Sequence, residues 1–348
     1  MSTERDDAAD LRRYSRQVLL PKIGAEGQRR LGSSRVLVIG VGALGTALAS
    51  LMVRAGCGTV RLVDRDFIEL DNLQRQTLFD EQDISAGLPK AVAAAEKLRR
   101  ANTTVTVEPV VADVTAANIL QLIQGFNLVL DGTDNVETRL LLNDACLKLR
   151  VPWVYGAAIG MTGATMPFIP GQGPCFRCIV PSQPAPGALP TCETAGVLGT
   201  VPQIVAAFQV TEAIKLLTGH LADMVPQMRY VDAWAGTVEA LEIRKGADAC
   251  PACDQSRYEF LEGGQGGGTA KMCGRTAVQV DPGKVAAPDF HALSARLSAL
   301  GEVSFNAYML RFRTTEKEIV LFPDGRAIIK GTGDEAAARA LYSRFIGA

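Results

Sequence analysis

The chain has 348 residues, 47% hydrophobic and 21% charged, the balance of a folded protein with one large core and room for a smaller unit. A formal net charge of −1 gives no electrostatic reason to expect nucleic acid or an anionic membrane as partner. Met1 to Asp10 is polar and acidic without an apolar run, so no secretory leader is expected and a cytoplasmic location is.

Residues 1–34 read as a helical segment with a charged face that precedes the core and carries Arg13-Tyr14-Ser15-Arg16-Gln17. From Arg35 the pattern alternates as a doubly wound, Rossmann-like, mostly parallel α/β sheet requires. A strand at 36–39 runs into Gly40-Val41-Gly42-Ala43-Leu44-Gly45 and a helix over about 43–55. Residues 36–53 carry no charge and have the length of a membrane span, but the glycines mark a buried strand-turn-helix unit instead. Such a turn brings backbone N–H groups and a helix N-terminus to phosphates, with Gly40, Gly42, Ala43 and Gly45 as the candidate contacts.

After a strand at 59–63, Asp64 lies about 20 residues beyond the glycines, where an acid suits a ribose hydroxyl, and Asp66 is placed beside it. A dinucleotide site needs no more. This chain adds Asp71-Asn72-Leu73-Gln74-Arg75-Gln76 in a long loop and Lys90 at the start of a helix over 88–101. Asn72, Gln74, Arg75 and Lys90 suit a triphosphate and its displaced pyrophosphate. Strands at 105–110 and 127–131 follow, the second ending in Asp131-Gly132-Thr133-Asp134-Asn135 before a helix over 135–149. Asp134 can hold Mg2+ near phosphates, with Asn135 beside it, or can form a capping pair with Glu137; the two roles are compatible.

A strand at 152–157, a more antiparallel set at 162–169, 228–234 and 237–244, and an apolar helix over 200–218 complete the domain at 35–262. The proline-rich loop 170–193 is expected to be mobile and to face solvent. Eight cysteines in a cytoplasmic chain point to metal or thiol chemistry, and two histidines, His220 and His291, leave little room for Ser-His or Cys-His catalysis. Cys175-Phe176-Arg177-Cys178 and Cys250-Pro251-Ala252-Cys253 have the spacing of a closed four-thiolate Zn2+ site of structural type. Cys192 stands alone before a helix, where the positive helix end favours thiolate; a nucleophile and a packing residue are both consistent with that position. Cys57 and Cys146 read as packing residues, and Cys273 has no assignable role.

A glycine-rich linker at 263–269 leads to a small α/β unit at 270–348: strand 276–280, helix 289–299, strands around 303–313, 317–322 and 326–330, and helix 334–345. It carries no motif assignable to chemistry.

Taken in order, Arg13 to Gln17, Gly40 to Gly45, Asp64, Asn72 to Gln76, Pro89-Lys90, Thr133-Asp134-Asn135, the CxxC pairs and Thr191-Cys192-Glu193-Thr194-Ala195-Gly196 resemble the ThiF/MoeB/HesA family. These proteins are prokaryotic relatives of ubiquitin-activating enzymes, and the resemblance covers roughly residues 10–260. It implies that 35–262 is an ATP-binding domain that adenylylates the C-terminal Gly-Gly carboxylate of a ubiquitin-like sulfur carrier. It also implies that 170–193 is the crossover loop. Asp64 would hold the ribose, Asn72, Arg75 and Lys90 the charge around the α-phosphate, and Asp134 the Mg2+. Arg16 matches an arginine that reaches the partner subunit's ATP, which implies a homodimer with composite sites. Cys192 matches a crossover-loop cysteine that in the thiazole branch can link covalently to the carrier.

No rhodanese-like segment is detectable, so an external persulfide donor is expected. Met272-Cys273-Gly274-Arg275-Thr276-Ala277-Val278-Gln279 is similar to the tail of some thiazole-type members, which favours thiamine over molybdopterin biosynthesis. Two other classes remain in view: a nicotinamide-dependent oxidoreductase and a non-catalytic, zinc-stabilised carrier-binding adaptor.

Overall fold

A computed structural model of the chain describes residues 11–185, 191–246, 248–263, 270–271, 277–283 and 287–347. The chain divides into two compact units that meet at Gly264 and Gln265.

The first unit is built on an eight-stranded sheet: β1 (Arg35–Ile39), β2 (Thr59–Val63), β3 (Thr106–Val110), β4 (Leu128–Asp131), β5 (Trp153–Ile159), β6 (Thr162–Phe168), β7 (Gln227–Asp232) and β8 (Thr237–Glu242). Its order is β3-β2-β1-β4-β5-β6-β7-β8. The first five strands in that order run parallel, and β6 to β8 are antiparallel. The uncharged run from residue 36 to 53 is a strand, a turn and the helix Ala43–Ala55. No helix among the described residues is long and apolar enough to cross a membrane.

The central strands read as unbroken apolar runs because both faces of the sheet are covered. Val36 and Val38 of β1 pack on one face with the helices Ala43–Ala55, Lys90–Ala101 and Thr200–Leu217. Leu37 and Ile39 point to the other face, beneath Ile119–Ile123 and Val136–Leu149. Two helices arise inside expected loops, Glu81–Ala86 and Ile119–Ile123. Glu81–Ala86 is held by a reciprocal cap between Asp80 and Asp83.

Loop 170–193 does not face solvent throughout. Cys175, Phe176 and Arg177 are buried, because the Asn143 side chain accepts the Phe176 N–H at 2.9 Å and the cysteines pack together. Residues 186–190 lie outside the described residues, as do most of the linker 263–269 and Met272 to Thr276, with Cys273.

The second unit has a six-stranded sheet formed by β9 (Ala270–Lys271), β10 (Ala277–Val280), β11 (Glu302–Phe305), β12 (Leu310–Arg313), β13 (Glu318–Leu321) and β14 (Ala327–Lys330). Its order is β11-β12-β13-β14-β10-β9, with each neighbouring pair antiparallel. The helices Phe290–Leu297 and Glu335–Phe345, capped by Asp289 and Asp334, cover a core of Val278, Leu310, Phe312, Ile319, Leu321 and Ile329.

Candidate active site

The sheet reverses its winding between β1 and β4, and open α/β sheets bind ligands in the crevice beyond such a point. Three glycines close this crevice by backbone contact. Gly40 has φ +83°, and a Cβ there would stand 2.6 Å from the Gly132 carbonyl oxygen. A Cβ at Gly45 would overlap the Gly40 carbonyl oxygen, and one at Gly132 would come within 2.5 Å of the same atom. Gly40 N–H donates to Val63 O and Gly132 N–H to Ile39 O, each at 2.8 Å, so the turn is tied to β2 and β4. Gly42 stays open to the crevice, its Cβ direction bordered within 4 Å by the Gln76 side chain alone.

Asp64 follows β2 and braces the cradle. Its carboxylate accepts the Val41 N–H at 2.6 Å and the Asp66 N–H at 2.7 Å. Burial raises its pKa, and the nearby Lys90 charge opposes that rise. Lys90 begins the helix Lys90–Ala101, is 4% exposed, and places Nζ 3.4 Å from Asp66 Oδ2. Its backbone N–H also donates to Asp66 O at 2.9 Å, which binds this helix start to the β2 loop.

Asn72 is buried in a one-turn 3-10 helix, where it shares a reciprocal cap with Glu69 and donates to Asp71 Oδ1 at 2.9 Å. Arg75 donates to the Asp71 carbonyl at 2.7 Å, and Gln74 is exposed.

Asp134 follows β4 and is exposed. It does not cap the helix Val136–Leu149 with Glu137. The cap is Asn135, whose Oδ1 accepts the Thr138 N–H at 2.9 Å, because its shorter step into the helix puts the acceptor over the open N–H groups. The Asp134 carboxylate is left out of the cap, and a hard oxygen donor of this kind suits Mg2+.

Under this turn lies a network that the sequence reading missed. Buried Arg139 donates to Asp131 Oδ2 at 2.9 Å, to Thr133 O at 2.6 Å and to Gly156 O at 2.8 Å. Asp131 Oδ1 accepts the Thr133 N–H and hydroxyl, and Gln209 Nε2 reaches the Asp131 and Val154 carbonyls. These bonds fix the peptide that carries Asp134.

Arg16 is not brought to this crevice. Its short helix Ser15–Val18 is anchored by Tyr14 to Asn102 at 2.8 Å and by Gln17 to Ala55 O at 3.1 Å. Those partners lie at the far ends of the helices that start at Lys90 and Ala43, about 20 Å from the cradle at 1.5 Å per residue. Arg16 is exposed there.

The four CxxC cysteines meet, with Sγ atoms 3.7 Å apart for Cys175–Cys250 and Cys178–Cys253, and all four within 4.8 Å of one another. Burial pushes the Cys175 thiol up and its three neighbours push it further; Cys178 rises to about 11, chiefly by burial. Four thiols whose Sγ atoms lie within 4.8 Å of one another are a donor set that fits Zn2+. Helix Val136–Leu149 holds the first knuckle, where Asn143 accepts the Phe176 N–H, and the short helix Glu259–Glu262, where Asp144 Oδ2 accepts the Phe260 N–H at 3.0 Å. Arg177 reaches Glu259 with two 3.1 Å bonds.

Cys57 and Cys146 are fully buried, as expected for packing residues, and burial raises both thiols. Cys192 opens the helix Cys192–Ala195, but four residues give only a weak dipole, so the electrostatic case for a thiolate there is smaller than expected. Its side chain lies outside the described residues. The segment is tied to the β5–β6 turn by Gly160 N–H to Gly196 O at 2.9 Å and Leu198 N–H to Gly160 O at 2.8 Å. At its exit, a Cβ on Gly199 would stand 2.7 Å from the Gln74 carbonyl oxygen.

The ThiF family matches residues 14–252. The chain is 43% identical over 339 residues to the sulfur carrier protein ThiS adenylyltransferase of Bacillus subtilis, covering 96% of this chain and 99% of that one. It is 40% identical over 256 residues to the SAMP-activating enzyme E1 of Haloferax volcanii, covering 74% and 93%. A crystal structure of E. coli MccB with ATP shares the fold, with a TM-score of 0.60 at 19% identity over 70% of this chain and 74% of that one.

Proposed function

The chain belongs to the ThiF family, and from that premise we propose that it adenylylates the C-terminal Gly-Gly carboxylate of a ubiquitin-like sulfur carrier for thiazole formation in thiamine biosynthesis. The observation that carries this reading is the match to the Bacillus ThiS adenylyltransferase, which spans the small C-terminal unit as well as the first unit. The oxidoreductase and adaptor readings leave Asn72, Arg75 and Lys90 without work at a phosphate site.

In this reading ATP lies over the Gly40–Gly45 turn with its ribose toward Asp64 and Asp66. A carboxylate oxygen of the carrier attacks the α-phosphorus in line. The bond to the β-phosphate breaks, pyrophosphate leaves, and an acyl-adenylate remains. Asn72, Arg75 and Lys90 stabilise charge on the phosphate oxygens during that displacement. Mg2+ held by Asp134 would neutralise further phosphate charge, and Zn2+ on the four thiols would fasten the crossover segment to the end of the unit.

Arg16, remote from its own cradle, is assigned to the ATP of a second copy in a homodimer. Cys192 acts after adenylation, in sulfur transfer from an external persulfide donor.

The test is ATP–pyrophosphate exchange with thiamine-type and molybdopterin-type carriers and with each carrier lacking its Gly-Gly end. Exchange is expected with the intact thiamine-type carrier and none with the truncated ones. Cys192→Ser should retain exchange and lose only the reductant-reversible carrier adduct. Exchange with the molybdopterin-type carrier alone would move the protein to that branch, and exchange with neither would reject adenylation.

A further inference from the structure

The four cysteines of the cluster differ in their access to solvent, and none of the roles assigned above uses the difference. Cys175 and Cys250 are buried, at 4% and 8% exposure, whereas Cys178 and Cys253 are half-buried. The two outer sulfurs are also neighbours. Cys178 Sγ lies 3.7 Å from Cys253 Sγ, a gap that a small shift closes to the ~2.05 Å of a disulfide. The other near neighbour of Cys178 is Cys175, at 3.9 Å and shielded from solvent.

A cation is fixed beside this pair. Lys245 Nζ is 2.5 Å from Asp254 Oδ1, and Asp254 Oδ2 accepts the Cys250 N–H at 2.9 Å, which holds the ammonium next to Cys253. Bound zinc keeps its cysteines as thiolates, and peroxides oxidise the thiolates that solvent reaches first.

We propose that Cys178 and Cys253 are a peroxide-sensitive pair whose oxidation expels Zn2+ and leaves a disulfide across the same two chain segments. One thiolate sulfur attacks an oxygen of hydrogen peroxide, the O–O bond breaks, hydroxide leaves beside the Lys245 ammonium, and a sulfenic acid forms. The second thiolate attacks that sulfur, the S–O bond breaks, and a second hydroxide leaves. Both hydroxides take protons to become water. Two electrons have then passed from two sulfurs to one peroxide, and Zn2+, left with two ligands, departs. The new bond joins residues 75 apart in the chain, so a covalent tether takes the place of the metal one. The inference rests on the zinc assignment and is independent of the adenylyltransferase reading.

The test treats full-length, zinc-loaded protein with hydrogen peroxide. Zinc release is followed with a chromogenic chelator, and disulfides are located by mass spectrometry of alkylated, unreduced digests. About one Zn2+ should be released for each disulfide formed, and the disulfide should be Cys178–Cys253. The oxidised protein should melt above protein that is stripped of zinc and kept reduced, and thiol reductant with Zn2+ should restore the metal-bound form. Lys245→Met, which keeps all four cysteines, should slow zinc release about threefold, the scale of a half-exposed charge contact.

A disulfide within either CxxC pair, one to Cys192 or Cys273, or zinc retained with every thiol intact would overturn the proposal. Equal release rates in wild type and Lys245→Met would overturn the role given to Lys245. Protein that carries no zinc when purified overturns the zinc assignment and this proposal together, while carrier adenylation is measured separately and stands or falls alone.

Discussion

The nucleotide cradle and the cysteine cluster belong to the same unit and are built by opposite means. In the cradle, backbone meets backbone: Gly40, Gly45 and Gly132 approach so closely that none has room for a methyl group. Its shape is set before any ligand arrives. In the cluster, two chain segments bring four side chains together, and each neighbour makes the Cys175 thiol harder to ionise. That arrangement of four thiols is the donor set of a tetrahedral Zn2+ site. The first design should tolerate chelators and fail on one added carbon; the second should tolerate small packing changes and fail on loss of metal.

The largest expected effect breaks the cradle. Gly45→Ala should reduce pyrophosphate exchange about a thousandfold, the factor that about 4 kcal/mol of distortion supplies, while zinc content stays near that of wild type. An active Gly45→Ala protein would mean that the cradle can widen. Next, Cys250→Ser should lower zinc from about one per chain and reduce the melting temperature by roughly 10 °C, with ATP affinity preserved. Metal analysis beside calorimetry checks this, and unchanged melting in a zinc-free preparation would show that the cluster needs no cation.

The smallest effect concerns Asp144, which holds the helix Glu259–Glu262 through Phe260. Burial raises its pKa to about 6, so the folded protein holds this proton more tightly than the unfolded chain. The carboxylate's cost to stability is absent below about pH 4, grows as pH rises to about 6, and is full above that. Asp144→Asn keeps an acceptor for Phe260 N–H and removes the charge. The variant should gain at most about 3 kcal/mol over wild type at pH 8 and nothing at pH 4, as the difference between paired denaturant titrations of zinc-loaded proteins. An equal gain at both pH values would assign the effect to packing.

These contrasts also explain what could be read in advance. The Gly40–Gly45 turn was readable because its apolar strand, glycines and following helix are contiguous, and the cysteine set because CxxC spacing is local to each knuckle. The Asp131–Arg139–Gln209 network was not, since Gln209 sits in an apolar helix 78 residues from the carbonyl it reaches. Asp134 and Asn135 are both capping types, and only the helix start shows that Asn135 takes that place. Proline content made loop 170–193 look exposed, whereas burial of Cys175 to Arg177 comes from partners distant in sequence, Asn143 and Cys250.

Gly199 connects matters treated separately above. It is the last residue before the helix Thr200–Leu217, so near the Gln74 carbonyl that a Cβ would stand 2.7 Å from its oxygen, while the Cys192 segment is tied to Gly160. The end of the Cys192 segment and the turn that carries Arg75 are therefore near neighbours. Any side chain at position 199 would push on the turn that carries Arg75, so the two segments lie this close only while that position is glycine.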